Sequence, residues 1–474
     1  MRKTKIVITM GPALQEGDNL REALKIADVV RLNASHGDLP SRVEAIQAIR
    51  AISAELGRRV AVLLDLQGPK WRVGALEAPV DLVVGSVGAF YATGAEAPAG
   101  VAWAVPLPHP ELFQGAAVGQ RWVLDDGNLE VDVTATRPGL VLARVQVGGL
   151  LKARKGVHPI GLDVAFDPLT PKDLVDIQWG VDNKVDLFAQ SFVRQASDIL
   201  ALEKILRELG CPNPAIIAKI EHAQALENLD DILNVSWGVM VARGDLGVEL
   251  GVERVPNLQK RIIRKARQAL KPVITATQML ESMIESPQPT RAEASDVANA
   301  IWDGTDAVML SAESAVGKHA VAAIQWLDRI AEDADAHFKP RLGRFEDALA
   351  PHLARKTEVA VGFAACRTAE DIGARFIVVF TEGGGSARMV SRLAANIPVI
   401  GATTDPVNAA RLGVMRGVEA MLIPREESSD ELVAHVETLL REHHHLLPGD
   451  KVVITLGLPL WKTGSTNTMK VIRY

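Results

Sequence analysis

The chain is poor in cysteine, with two, Cys211 and Cys366, among 474 residues. They lie far apart and match no metal-ligand spacing, so neither a disulfide framework nor a zinc site is expected, and a reduced, cytoplasmic setting is the simple reading. Long hydrophobic runs are missing too: none approaches the roughly 18 consecutive apolar residues of a membrane span. The opening "MRKTKIVITMGP" places basic residues ahead of an apolar run, as a signal peptide would. That run is five residues long and Gly11-Pro12 ends it, so it reads as a strand instead. Nor is there an excess of positive charge. The net charge of −6 argues against a nucleic-acid surface, which needs a basic face.

What is present is an ordinary globular composition, 48% apolar and 23% charged, in a chain long enough for several domains. Short β-branched runs alternate with amphipathic helical stretches. The runs are "KIVITM" (5–10), "ADVVRLN" (27–33), "RVAVLLD" (59–65), "LFAQSFV" (187–193), "AIIAKIE" (215–221), "WGVMVARGD" (237–245), "PVITAT" (272–277) and "AVMLSAE" (307–313). Near-continuous apolar strands separated by helices such as "SDILALEKILRELG" imply a parallel sheet covered on both faces. Eight such units suggest an α/β fold of the (β/α)8 TIM-barrel type, with a doubly wound open sheet as the alternative.

Almost every run ends on a chemically useful group: Thr9, Arg31 and Asn33, Asp65, Ser191, Lys219 and Glu221, Asp245, Thr277, then Ser311 and Glu313. Loops are polar in general, which accounts for one or two of these. Charged groups inside the last turn of several apolar strands ask for more, because a buried unpaired charge costs several kcal/mol. In a parallel barrel these ends converge on one mouth, where an active site is built.

Between Asp65 and Leu187 the pattern changes to short alternating strands with Gly and Asp-Gly turns, as in "RWVLDDGNLEVDVTA", the mark of a small antiparallel barrel or sandwich hanging over the mouth as a lid. After about residue 337 come a helix, a strand–Gly loop–helix ("ARFIVVFTEGGGSARMVSRL") and further strands, an open α/β domain. The expected division is barrel 1–70 and 163–336, inserted β lid 71–162, and C-terminal α/β domain 337–474. His443-His444-His445 reads as a solvated helix end rather than a metal site.

"IIAKIEH" puts Lys219 and Glu221 on one face of a strand, and "MVARGDLG" brings Asp245 from the next. Two carboxylates without His or Cys suit Mg²⁺ or Mn²⁺ shared with substrate oxygens, with the lysine as a point charge on a moving phosphoryl group. Gly244 lets backbone N–H groups approach an anion. A purely structural Lys–Glu–Asp salt-bridge network is the alternative.

"RLNASHG", "DLQGPKWRVG", "KGVHPIG", "AKIEH", "MVARGDLGVE", "TATQMLESM", "PTRAEASDVANAIWDGTDAVMLSAES" and "TNTMKV" occur in order along the chain. Together they resemble the pyruvate kinase family over essentially the whole length. The resemblance implies phosphoryl transfer from phosphoenolpyruvate to ADP, a cytoplasmic homotetramer and no nucleic-acid or membrane partner. It implies that Glu221 and Asp245 hold Mg²⁺ (or Mn²⁺) and that Lys219, Thr277 and Arg31 are catalytic. Gly244 and Asp245 would join these three in binding substrate, while Arg72, Lys155, His36 and Asn33 would bind nucleotide. Ser311 and Glu313 would join the proton relay. In most members K⁺ sits at positions matching Asn33, Ser35, Asp65 and the carbonyl of Leu66. Here Lys70 stands where those members carry glutamate, so its ammonium is expected to balance Asp65 and to make K⁺ unnecessary.

Two further departures stand out. His158-Pro159 replaces the usual Asn-Leu. The loop "TEGGGSA" (381–387), matching the effector-phosphate loop, carries Glu382 and Gly385 where basic groups commonly assist. With Thr381, Gly383, Gly384 and Ser386 forming an anion nest, a monophosphate effector (a sugar phosphate or AMP) is expected, and not fructose 1,6-bisphosphate. Two rival functions remain at this point. A Mg²⁺-dependent barrel lyase would need no ADP, and a catalytically dead sensor would have no reason to retain the charges.

Overall fold

Alternation along each barrel strand decides which side chains reach the interior. The computed structural model describes residues 2–162, 167–338, 353, 356–394, 397–444, 446–462, 464 and 466–474. The expected lid–barrel boundary at 162/163 therefore touches undescribed residues, as does most of the start of the C-terminal region, and His445 lies outside the described residues.

Strands β1 (Lys5–Thr9), β2 (Val29–Asn33) and β3 (Ala61–Asp65) open the barrel. An insertion then supplies β4 (Val80–Leu82), β5 (Val87–Ala92), β6 (Ala104–Leu107), β7 (Arg121–Leu124), β8 (Leu129–Arg137), β9 (Leu140–Val147), β10 (Gly149–Leu151) and β11 (Val157–Pro159). The chain returns through β12 (Leu187–Gln190), β13 (Ile216–Ile220), β14 (Gly238–Ala242), β15 (Val273–Ala276) and β16 (Ala307–Met309). These eight barrel strands close in the order β1-β16-β15-β14-β13-β12-β3-β2, all parallel, which settles the choice against an open sheet. Ile6, Ile8, Val62, Leu64, Ile216 and Ala218 pack outward against the helices, whereas Val7, Val29, Leu63, Ala189 and Ile217 fill the barrel. Two residues on, the same inward face reaches Thr9, Arg31, Asp65, Ser191 and Lys219.

The insertion forms a barrel-like six-stranded sheet, β11-β7-β8-β9-β5-β6, beside a β10-β4 ribbon. It differs from a wholly antiparallel expectation in one pair, since β5 and β6 run parallel. Phe90 anchors its core, with ring centroids 5.3 Å from Trp103 and 5.1 Å from Trp122. Gly88 is required there, because a Cβ would sit 1.9 Å from the Trp103 ring. The stalks joining insertion to barrel are paired: Val73 N–H donates to the Lys155 carbonyl (2.9 Å) and Val157 N–H to that of Trp71 (3.0 Å).

The C-terminal sheet, β19 (Val418–Leu422), β18 (Val399–Thr403), β17 (Phe376–Phe380), β20 (Lys451–Gly457) and β21 (Thr466–Arg473), is parallel apart from the last pair. Its helix Ser429–His444 ends as expected at the histidines, with His443 exposed. His444, however, packs edge-on against Phe376 at 5.2 Å. The domain closes the base of the barrel: Ala410 and Val414 join the barrel's interior cluster. Asp306 accepts the Val273 (2.7 Å) and Arg416 (3.1 Å) N–H groups and pairs with Arg392. Lys271, at this junction, donates to the Ser236 carbonyl at 2.6 Å. Burial, helped by the Arg388 charge, pushes its pKa down from 10.5 to about 7.

Between about pH 7 and 10.5 the unfolded state therefore binds the extra proton, so this site makes stability rise with pH over that window. The difference in Tm between the unaltered protein and Lys271→Met is expected to grow from pH 7 to pH 9.5, measured by calorimetry. A constant difference would contradict the assignment.

Candidate active site

The inward residues at the strand ends form one charge network. Asp65, 2% exposed, accepts from Arg31 Nε at 2.7 Å on Oδ2, and its Oδ1 lies 3.4 Å from Lys219 Nζ. Arg31 also donates to Thr9 Oγ1 at 3.1 Å. Lys219 donates to Ser191 Oγ at 2.7 Å and lies 3.5 Å from Glu221 Oε2, and Ser191 in turn donates to the Leu66 carbonyl at 2.7 Å. Burial opposes the charge on Lys219, but Asp65, Glu221 and Asp245 outweigh it and raise its pKa. Burial also works against the Asp65 carboxylate, yet Lys219 and Arg31 hold its pKa below the usual range. Glu221 goes the other way: burial, with Asp245 adding repulsion, raises its pKa despite Lys219.

Glu221 Oε1 accepts the Phe192 N–H at 2.7 Å, while Oε2 is buried without a hydrogen bond. Asp245 opens the helix Arg243–Leu250 with its side chain 36% exposed. A buried, unsatisfied carboxylate oxygen beside a second, accessible carboxylate fits a hard cation that takes its remaining ligands from substrate and water. Among the described residues no group of three or more His, Cys, Asp or Glu could hold a metal by itself.

Thr277 has φ +68°, and its Oγ1 accepts the Gly244 N–H at 2.9 Å. The Gly244 amide, expected to meet an anion, is thus taken up by Thr277. What holds the strained turn at Thr277 and Gln278 is Arg243, a residue that sequence reasoning passed over. It donates to the carbonyls of Thr277 (2.6 Å) and Gln278 (3.1 Å) and pairs with Asp296 at 2.6 Å. An arginine in the last turn of an apolar strand was the available signal. Glu313 accepts the Ser311 and Leu280 N–H groups at 2.6 and 3.2 Å, so both its oxygens clamp backbone.

Lys70 requires a correction. Its Nζ lies 3.8 Å from Asp245 Oδ1, and Asp65 is engaged by Arg31 and Lys219 instead. Gly68 sets that position. At φ +67° its Cβ would meet Ser191 and Phe192 at 2.9 Å, and its N–H donates to Asp173 at 3.1 Å. Of the expected cation ligands, Asn33 Oδ1 accepts the Ser35 N–H at 3.0 Å and the Leu66 carbonyl accepts Ser191.

Of the expected nucleotide groups, Asn33 and His36 share a cavity with Arg31, whereas Arg72 and Lys155 do not line it. This cavity of about 730 Å³ is lined by Arg31, Asn33, His36, Pro12, Ser311 and Arg42, among others. Burial and the charges of Arg72, Arg31 and Lys70 lower the His36 pKa, so this side of the mouth is electropositive. Arg72 donates to the Arg154 carbonyl at 3.1 Å, and Lys155 pairs with Asp125 of the insertion at 2.6 Å. The loop at 381–387 lies apart from this mouth, on the C-terminal domain, and lines a separate cavity of about 370 Å³. Thr381, Gly383, Gly385 and Ser386 face it, Gly384 caps the helix Gly385–Leu393, and basic groups do line it: Arg388, Lys356 and Lys462.

Two family profiles match the chain: "Pyruvate kinase, barrel domain" over residues 1–324 and "Pyruvate kinase, alpha/beta domain" over 359–472. A pyruvate kinase of Agrobacterium vitis is 40% identical over 100% of this chain and 97% of its own length. One from Geobacillus stearothermophilus is 39% identical over 99% of this chain and 80% of its own. One from Mycobacterium tuberculosis is 38% identical over 100% and 98%. With the closed barrel, the inserted sheet and the α/β domain in the same order, the chain belongs to the pyruvate kinase family of phosphotransferases.

Proposed function

We propose that the chain transfers the phosphoryl group of phosphoenolpyruvate to ADP, giving ATP and an enolate that is protonated to pyruvate. The observation that carries this reading is the Lys219 ammonium, held at the mouth by Ser191, Asp65 and Glu221 and kept charged by its anionic neighbours. As the bond from phosphorus to the enol oxygen breaks and one to the terminal ADP oxygen forms, negative charge shifts across the moving group, where a fixed ammonium stabilises it. Glu221 and Asp245 would hold Mg²⁺ or Mn²⁺, which supplies charge neutralisation for the substrate carboxylate and enolate oxygens. Arg31 orients a phosphate, Arg72 and Lys155 approach the nucleotide from the insertion side, and Asn33 and His36 line the cavity that suits its remainder. Thr277 sits where the enolate carbon receives its proton. The assembly expected is a cytoplasmic homotetramer, divided into barrel 1–70 and 163–336, lid 71–162 and C-terminal domain 337–474.

Independence from K⁺ belongs to the same proposal. Lys70 places a permanent positive charge beside Asp245, and two of the oxygens that would ligate K⁺ already accept internal hydrogen bonds. Nearby ammonium also repels a monovalent cation, the more so in a desolvated cleft. Pyruvate formation from phosphoenolpyruvate, ADP and Mg²⁺ is expected at near-full rate without K⁺, and Lys70→Glu should be weak until K⁺ is added. An unaltered enzyme that needs K⁺ for most of its rate would overturn the K⁺ reading, and no ADP-dependent pyruvate formation under any cation would overturn the activity.

We further propose that the cavity at 381–387 takes a single phosphate of a sugar phosphate or of AMP. The helix N-terminus, Ser386 and Arg388 favour an anion, while Glu382, 3.7 Å from Arg425, disfavours a second phosphate. Activation by AMP or a sugar monophosphate, lost in Ser386→Ala, is expected. Strong activation by fructose 1,6-bisphosphate with the same sensitivity would contradict it.

A further inference from the structure

Phosphoryl transfer leaves one buried charged cluster unused, and it lies where the insertion meets the barrel. Glu249 is 6% exposed and sits on the helix Arg243–Leu250, one turn beyond Asp245. Its Oε2 is hydrogen-bonded to Nε2 of His158, on strand β11 of the insertion. Its Oε1 lies 3.5 Å from Nε2 of His222 and accepts the Ala223 N–H at 3.5 Å. His222 directly follows Glu221, and its Nδ1 accepts the Gln224 N–H at 3.3 Å, which leaves Nε2 to carry the ring proton. A carboxylate only accepts, so His158 also presents an Nε2 proton. One carboxylate thus receives donors from the insertion and from the loop that follows a metal carboxylate. A narrow cavity of about 40 Å³ beside the cluster is lined by His158, His222, Lys70, Phe192 and Asp245, so it adjoins the catalytic charges.

The stalks of the insertion pair with each other through the backbone of 71–73 and 155–157, β11 continues into the inserted sheet beside β7, and Lys70 lies 3.8 Å from Asp245 of the barrel. A side-chain tie to the barrel at His158, three residues beyond Lys155 and two beyond Gly156, fixes the angle of the stalks.

We propose that Glu249 and His158 are positioning residues, a clasp that ties the insertion to the loop after Glu221 and so sets Lys155 and Arg72 against the mouth. The clasp, which rests on the pyruvate kinase reading for its effect on turnover, touches neither substrate nor the reacting atoms. Removing the donor at 158 leaves the buried Glu249 carboxylate short of a hydrogen bond and releases the stalks. A neutral N–H donor at the same place restores much of the tie.

The test compares the unaltered protein with His158→Phe, His158→Gln and Glu249→Gln. Amide hydrogen exchange in 71–73 and 155–159 is expected to speed up at least about fivefold in His158→Phe and to return toward the unaltered rate in His158→Gln. In turnover, KM for ADP should rise about tenfold in His158→Phe while KM for phosphoenolpyruvate changes little, again with rescue by His158→Gln. Unchanged stalk exchange in His158→Phe overturns the clasp whether or not the protein has pyruvate kinase activity, because the exchange measurement needs no substrate. Equal loss in His158→Gln and His158→Phe also overturns it, since the ring and not the donor would then matter. Should Glu249→Gln fail to fold, the two His158 variants decide alone.

Discussion

The Asp65 carboxylate is the constraint on which the site depends. It is buried at the end of β3 with Arg31 on one oxygen and Lys219 on the other. Burying a lone charge is prohibitive, and so is burying two cations without an anion between them. Together the groups are tolerable, and each holds the others in place. Arg31 and Lys219 come from strands that do not touch, β2 and β13, so Asp65 brackets the mouth across the barrel. Glu221 adds the second anion, and its Oε2, like Asp65 Oδ1, is buried without a hydrogen bond. Breaking one partner of such a buried set costs on the order of 3–5 kcal/mol, so the arrangement is preorganised rather than assembled on binding.

Around that network, the backbone is held by residues that never face the mouth. Arg243 fixes two successive left-handed residues at the end of β15 through their carbonyls. Asp173 caps its helix through Thr170 and also receives the Gly68 amide, which aims the loop carrying Lys70. At the other end of the barrel, Arg388 and Arg392 of the C-terminal domain reach the Trp237 carbonyl before β14 and the Lys271 carbonyl and Asp306 carboxylate beside β15 and β16. Arg388 both lines the C-terminal cavity and approaches the Trp237 carbonyl at 3.5 Å just before β14.

Much of this was legible in the sequence because the barrel obeys a strict alternation. Once Leu63 and Ile217 face inward, Asp65 and Lys219 must as well, and the eight expected runs each contain one observed barrel strand. The β5–β6 parallel pair was not legible, since periodicity fixes neither direction nor partner. Lys70 was misjudged for a related reason: proximity to Asp65 in sequence carried no information about the turn at Gly68, which sends the side chain toward Asp245. Arg243, Glu249 and His222 escaped notice because their partners are distant in sequence, Thr277 for Arg243 and both His158 and His222 for Glu249, and no local pattern reveals them.

The central claim is that Asp65 and Lys219 act as one unit, and a double-mutant cycle on kcat/KM for phosphoenolpyruvate tests it most directly. Lys219→Met should lower kcat/KM by a factor on the order of 10³ or more, and Asp65→Asn should cost a large part of that by freeing the ammonium. The double variant should then be hardly worse than Lys219→Met alone, a coupling of tenfold or more. Losses that simply multiply would show that Asp65 and Lys219 act independently and would contradict the account.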